Sequence, residues 1–142
     1  MEIKLLLEFH QKIRREYMTK KRSWTLDELE KFKKLIIKKR IKVLGELEEA
    51  KKRTNEARNN NSINAIYSSH MADASTDQEE MEKSYYWMDR EKKFIQYLDR
   101  ALDMLDEGTF GVCTTCGELI NQERLEEVPH TISCFGCKSQ LS

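Results

Sequence analysis

Four cysteines in two closely spaced pairs are the residues of this sequence best suited to chemistry. Cys113 and Cys116 have two residues between them, as do Cys134 and Cys137, and 17 residues separate the two pairs. This spacing is typical of a zinc site with four thiolate ligands. We therefore predict one structural zinc ion held by all four cysteines. A shell closed by four thiolates leaves no position for a catalytic water, so the predicted role of the metal is to fold a segment too small for a hydrophobic core of its own.

Other uses of the cysteines fit the sequence less well. Two disulfides would need an oxidising compartment, and the N-terminus lacks the apolar core of a signal peptide. A thioredoxin-type redox pair needs one such motif in a βαβ setting. Gly117 follows the first pair, where a metal-binding turn commonly needs a positive φ. Because no run of 18 apolar residues occurs, we expect a cytoplasmic protein without membrane association.

The composition favours long helices exposed to solvent. Charged residues make up 35% of the 142 residues, and the chain has one proline and five glycines. Its net charge is zero, but the charges are segregated along the sequence. Residues 25–58 carry a net charge of +4 and residues 77–107 a net charge of −5. Two helices of opposite charge favour pairing with each other, although each exposed ion pair contributes only a few tenths of a kcal/mol.

The first strong helix is predicted over residues 25–57. Thr25 and Glu28 form a capping box, and Trp24 and Leu29 have the positions of a hydrophobic staple. Apolar residues recur every seven positions, which indicates a coiled-coil seam. The repeat consists of Leu29, Ile36, Val43 and Ala50, and the stripe is widened by Ile37, Leu44 and Leu47.

The second strong helix is predicted over residues 77–107. Thr76 and Glu79 form another capping box, and Gly108 is a natural stop. Its seven-residue repeat consists of Met81, Met88, Ile95 and Leu102, joined by Leu98 and Leu105. Asparagines and serines at 59–62 and 68–69 favour a turn between the helices.

The predicted fold is therefore mainly α, an antiparallel two-helix coiled-coil hairpin with an N-terminal helix and a small four-cysteine zinc finger. An N-terminal basic segment, 1–24, contains a helix at 3–19. The hairpin spans 25–107 with its tip at about 58–77, and the finger and tail span 108–142. Within the finger we expect a short strand at 118–120 and a short turn or helix at 124–126.

Catalytic motifs are missing from the sequence, and we expect no enzymatic activity. It has no Gly-rich phosphate loop, no GxSxG and no HExxH. Over residues 25–140 the chain instead resembles the DksA/TraR family of zinc-finger transcription factors. The resemblance rests on the hairpin, the acidic turn at 72–73, residues 108–113, and residues 123–126 with Pro129 ahead of the second cysteine pair.

The resemblance implies a regulator that binds bacterial RNA polymerase, inserts its coiled coil into the secondary channel and needs no sequence-specific DNA contact. We expect it to act as a monomer. The family's acidic tip pair falls on His70 and Asp73, so the first acid is replaced. Ser75 stands where alanine is frequent, and Asp77 is a second candidate carboxylate one turn after Asp73.

Some family members bind guanosine tetraphosphate with basic side chains beside the finger. The corresponding positions are Tyr97, Val128 and Lys138, of which only Lys138 is basic. Because a ligand rich in phosphate needs several cations or N–H donors, we expect a weak or absent nucleotide response at this surface.

Two alternatives remain open from the sequence. The basic face of the first helix, at residues 31–42, could follow nucleic-acid phosphates, although the whole protein is neutral with a pI near 6.8. A coiled-coil adaptor that binds another helix is the second alternative.

Overall fold

The computed structural model describes the backbone of residues 23–67 and 71–140, and the side chains of residues 23–60 and 78–140. This part of the chain contains four helices: α1 (Leu26–Tyr67), α2 (Met71–Glu107), α3 (Gln122–Glu127) and α4 (Phe135–Gln140). α1 and α2 pack against each other as the hairpin, and α3 contacts α1. No helix among these residues is long and apolar enough to span a bilayer. The helix predicted at 3–19 lies outside the described residues.

The start of α1 confirms the predicted capping box. The Glu28 carboxylate accepts hydrogen bonds from the Thr25 backbone N–H and hydroxyl, both at 2.9 Å, and the Glu28 N–H donates to the Thr25 hydroxyl at 3.3 Å. These bonds satisfy backbone donors that the first turn of a helix otherwise leaves without partners. The beginning of the hairpin is therefore fixed by local sequence.

The predicted seam is confirmed along most of its length. Its buried side chains are Phe32, Ile36, Val43, Leu47 and Ala50 on α1, and Met88, Ile95, Leu98 and Ala101 on α2. The prediction was wrong for Ile37 and Leu44, which are exposed. These two residues lie about a quarter turn from Ile36 around α1, outside the narrow contact that two helices make with each other.

Both long helices extend further toward the tip than predicted. The predicted helix ends at residues 57 and 77 were wrong, because α1 continues to Tyr67 and α2 already begins at Met71. Thr76 consequently lies inside α2 and does not cap it. Asparagine and serine lower helix propensity by less than about 1 kcal/mol each, and neither proline nor glycine occurs between Gly45 and Gly108.

The base of the hairpin holds a small core shared with the finger. α2 stops at Gly108, as predicted, with φ +77°, and the Thr109 N–H donates to the Met104 carbonyl at 2.9 Å. Phe110 then turns back into the core, where its ring lies 5.4 Å from that of Phe32. The core at this end includes Phe32, Ile36, Leu98, Ala101, Phe110, Cys113, Ile120 and Leu125. The finger is thus packed on the hairpin by apolar side chains.

Candidate metal centre and hairpin tip

The first cysteine pair lies on a tight turn closed by backbone hydrogen bonds. The Gly117 N–H donates to the Cys113 carbonyl at 2.9 Å, and the Cys113 N–H donates to the Glu118 carbonyl at 2.8 Å. Gly117 has φ +72°, which confirms the expected positive φ. The strand predicted at 118–120 is reduced to one isolated bridge, between Val112 and Leu119, because the chain turns away into α3 at Asn121.

The second pair is positioned by the start of α4. Cys134 precedes the helix and Cys137 lies in its first turn, where its N–H donates to the Cys134 sulfur at 3.4 Å. Arg124 ties α3 to this pair, since its Nε donates to the Ser133 carbonyl at 3.1 Å. The two pairs are thereby brought face to face.

The four sulfurs fit a tetrahedral zinc ion. All lie within 4.8 Å of one another, and the Cys116 and Cys134 sulfurs are 3.8 Å apart. Ligands at about 2.3 Å from a tetrahedrally coordinated zinc are separated by about 3.8 Å. The residues predicted to bind the metal are therefore gathered at a spacing suited to it, and the finger is a site for one structural zinc ion.

The thiols differ in acidity within this cluster. Backbone N–H groups of Cys116 and Cys134 lower the pKa of Cys113 to about 6, because they stabilise its thiolate. The hydrogen bond with the Cys134 sulfur, together with burial, raises the pKa of Cys137 to about 12. All four ligands must be thiolates around zinc, so binding of the metal releases protons from the more basic thiols.

Two contacts fasten the finger to the hairpin. The Trp24 indole N–H donates to the Gly111 carbonyl at 3.1 Å. The Lys39 ammonium donates to the carbonyls of Glu126 and Glu127, at 3.0 and 3.2 Å, where the C-terminus of α3 favours a cation. The sequence analysis placed Lys39 in a basic cluster and Trp24 in a hydrophobic staple. It did not predict their contacts with the finger, because residues far apart in the sequence form them.

An aromatic contact lies near Lys39. The His130 ring stacks on Tyr97 with ring centres 5.5 Å apart, and it meets Phe94 edge-on at 5.3 Å. Burial, with a smaller contribution from the positive charge of Lys39, lowers the pKa of His130. Its buried Nδ1 makes no hydrogen bond within the described residues. Sequence analysis did not identify His130, because a lone histidine has no distinguishing pattern.

Of the three positions compared with a nucleotide site, Tyr97 belongs to this contact. Tyr97 is exposed on α2, Val128 ends α3 and Lys138 is exposed on α4. Lys138 is the only cation of the three, so the expectation of a weak nucleotide response stays a prediction.

The predicted tip residues fall at the start of α2. Asp73, Ser75 and Asp77 lie in its first two turns, and Asp73 and Asp77, four positions apart, share a helix face. His70 lies outside the described residues. The effector role of these four residues stays a prediction.

Comparison with known proteins agrees with this architecture. Residues 108–141 match the family model described as prokaryotic dksA/traR C4-type zinc finger. The RNA polymerase-binding transcription factor DksA of Haemophilus influenzae is 38% identical over 68 residues, which cover 48% of this chain and 47% of that protein. The protein of the same name from Escherichia coli K12 is 33% identical over 67 residues, covering 47% and 44%. The chain thus spans about half the length of the curated relatives it matches.

The fold has a solved counterpart. The structure of transcription factor DksA2 from Pseudomonas aeruginosa superimposes with a TM-score of 0.71, covers 82% of this chain and 84% of that one, and is 23% identical. At that identity it supports the fold alone. The molecule is a coiled-coil hairpin carrying a C4 zinc finger at its base. The finger thus matches the dksA/traR C4 type, the chain is similar in sequence to DksA proteins over about half its length, and its fold is similar to that of DksA2.

Proposed function

We propose that this protein is a transcription regulator that binds bacterial RNA polymerase and inserts the tip of its hairpin into the secondary channel. The observation that carries the proposal is the DksA/TraR finger on a long projecting hairpin. Relatives similar over about half of this chain are named RNA polymerase-binding transcription factors. In this proposal the protein has no catalytic activity and changes initiation by acting on the polymerase.

The dimensions of the hairpin suit a device that reaches into a channel. The finger contacts α1 at Lys39, and α1 continues for 28 further residues to Tyr67. At 1.5 Å per residue the tip projects about 42 Å beyond that contact. A second buried cluster, formed by Val43, Leu47, Ala50, Met88 and Ile95, holds the two helices together over the first part of this projection. Beyond the cluster, α1 continues as a helix to Tyr67 and α2 begins at Met71.

Asp73 is the proposed effector at the tip, with His70, Ser75 and Asp77 as its neighbours in sequence. A carboxylate at the start of α2 is favoured by the helix dipole, which stabilises its charged form. We propose that this negative charge acts near the metal-dependent active centre of the polymerase. His70 replaces an acid, so the tip carries less negative charge than the family pattern.

The nucleic-acid alternative is weakened by the pairing of the basic face. Five of the seven cations of the cluster at 31–42 have a partner in the described part of the chain. Lys33 pairs with Asp106 and Arg40 with Asp99 across the hairpin. Lys34 and Lys42 pair along α1, and Lys39 binds the carbonyls of α3. Four of these cations are paired with carboxylates and a fifth is engaged by carbonyl oxygens, so fewer of them are available to phosphate.

A binding and transcription assay tests the proposal. Zinc-loaded protein is titrated onto bacterial core RNA polymerase with an established secondary-channel factor as competitor, and initiation is measured in parallel. We expect competed binding. Asp73→Asn should bind with an affinity within about threefold of the wild type, because the hairpin supplies most of the interface, yet lose most of its effect on initiation.

A matched variant separates a tip effect from a general loss of charge. Glu49→Gln removes one exposed carboxylate from α1, far from the tip, and should behave as the wild type. Binding that the competitor does not displace would contradict channel insertion. Binding that falls steeply with salt and is lost with the cluster at 31–42 would favour nucleic acid instead.

A further inference from the structure

The packing between α1 and α2 changes at a defined point along the hairpin. Toward the tip, the apolar cluster ends with Ala50 on α1 and Met88 on α2. One helical turn further, Thr54 on α1 and Ser84 on α2 line a common cleft. Among the side chains described beyond the cluster on the way to the tip, Thr54 is the only buried one. The apolar seam is thus replaced by a hydroxyl layer, formed by Thr54 and Ser84.

Within the described structure, neither hydroxyl joins the two helices. The Thr54 hydroxyl donates to the Ala50 carbonyl at 2.8 Å, and the Ser84 hydroxyl donates to the Glu80 carbonyl at 3.0 Å. Each bond therefore stays within its own helix. A hydroxyl that bonds to the carbonyl four residues earlier slightly destabilises a helix and often bends it. The hydroxyl layer favours curvature and adds no bond between the helices.

The cleft beside the hydroxyl layer leaves the helices loosely packed at this level. Its volume is about 520 Å³, and its lining includes Ala50, Thr54, Ala57, Met81, Ser84 and Trp87. Protein interiors are packed as densely as organic crystals, and side chains that border a gap lose dispersion contacts on that side. A small movement of one helix against the other therefore breaks few contacts here. At the apolar cluster the same movement would separate buried side chains.

We propose that the hydroxyl layer is a hinge, about which the distal part of the hairpin bends relative to its base while both helices stay intact. α1 continues for 13 residues beyond Thr54 to Tyr67, which gives a lever of about 20 Å. A bend of about 30° would move the end of that lever by about 10 Å. The hinge sets the range of positions that the tip can reach, and it does not depend on which partner the tip contacts.

Residual dipolar couplings of the full, zinc-loaded chain test the hinge, because they report the alignment of each N–H bond. We expect the couplings of residues 55–60 and 78–83 to be smaller by about a fifth than those of residues 36–50 and 88–102, since bending of the distal part averages them. Carbon chemical shifts should stay helical in all four ranges. Couplings of equal size in the distal and basal ranges, or non-helical shifts in the distal ranges, would overturn the proposal.

Variants that fill the cleft should lock the hinge. Thr54→Leu places a larger apolar side chain at the buried position, and Ala57→Leu extends a side chain into the same cleft from an exposed position. Either change should remove the difference between the distal and basal couplings. Thr54→Ala is the matched control, because it raises helix propensity without filling the cleft, and the difference should remain.

The variants separate loose packing from helix propensity as the cause of the bending. A difference that persists in both leucine variants, or one that Thr54→Ala also removes, would overturn the proposal. These measurements need no polymerase, so their failure leaves the proposed function standing.

Discussion

Gly111 accepts the Trp24 hydrogen bond that joins the finger to the base of the hairpin, and its replacement by alanine tests that junction. The residue has φ +72°, and a Cβ built on it would lie 2.3 Å from the Trp24 Nε1 and 3.0 Å from its Cδ1. The indole would have to move, and its hydrogen bond to the Gly111 carbonyl would be lost. Gly111→Ala should therefore loosen the finger from α1.

The expected cost combines two effects. A left-handed backbone costs an L-residue about 1–2 kcal/mol, and loss of one hydrogen bond costs about 1 kcal/mol. Displacement of the indole from Phe32 adds to these, so we expect a loss of about 2–4 kcal/mol in the free energy of unfolding. Gly108→Ala is the matched control, since Gly108 has φ +77° but a Cβ placed on it would meet no atom of the described residues within 4 Å. It should lose only the backbone part, about 1–2 kcal/mol.

Urea unfolding of the zinc-loaded variants, followed by far-UV circular dichroism, gives both free energies. Indole fluorescence in a Trp87→Phe background reports on Trp24 alone, because the chain has two tryptophans. A red shift in Gly111→Ala and none in Gly108→Ala would confirm displacement of the indole. Equal destabilisation of the two variants, with unchanged fluorescence, would refute the steric argument.

Three further predictions concern the core, the metal and His130. Leu98→Ala removes a fully buried side chain at the seam and should lower the free energy of unfolding by about 2–5 kcal/mol. Lys31→Ala, on the exposed surface, should change it by less than about 0.5 kcal/mol. Similar urea midpoints for the two variants would contradict the packing of the seam. Chelation of zinc should unfold residues 108–140 while most helical dichroism remains; unchanged exchange of the finger amides would contradict a structural metal. The pKa of His130 is lower in the folded chain than in the unfolded chain, so the unfolded chain binds more protons at pH values between the two. The stabilisation from neutral His130 is therefore complete above about pH 6.5 and decreases as the pH falls. The difference in unfolding free energy between the wild type and His130→Gln should shrink from pH 7.5 to 5.5, and a difference independent of pH would show that His130 does not titrate in this way.

The parts of the fold set by local or periodic patterns could be predicted from the sequence. The capping box at Thr25, the stop at Gly108 and the seven-residue repeat through Ile36 and Val43 each depend on residues close together along one helix. The zinc site could also be predicted, because the spacing of the two cysteine pairs is typical of four ligands around one metal ion.

The features that were not predicted depend on a balance between helix propensity and cooperative helix extension, or on contacts between residues far apart in the sequence. The helix boundaries near the tip were missed because weak propensities of asparagine and serine do not overcome the cooperative extension of a helix. Ile37 and Leu44 could not be separated from the seam by periodicity, since a quarter turn still lies within the usual apolar stripe. The anchors Lys39 and Trp24 each join residues 87 or more positions apart.

Insertion of the hairpin tip into the secondary channel is best tested by locating the tip in the complex with polymerase. A photo-crosslinking amino acid at position 74, next to Asp73, can be activated in the complex of the zinc-loaded protein with core RNA polymerase. We expect a crosslink to polymerase residues that line the secondary channel, suppressed by a factor known to occupy it. Crosslinks confined to the outer surface of the enzyme or to DNA, or unaffected by that competitor, would contradict it.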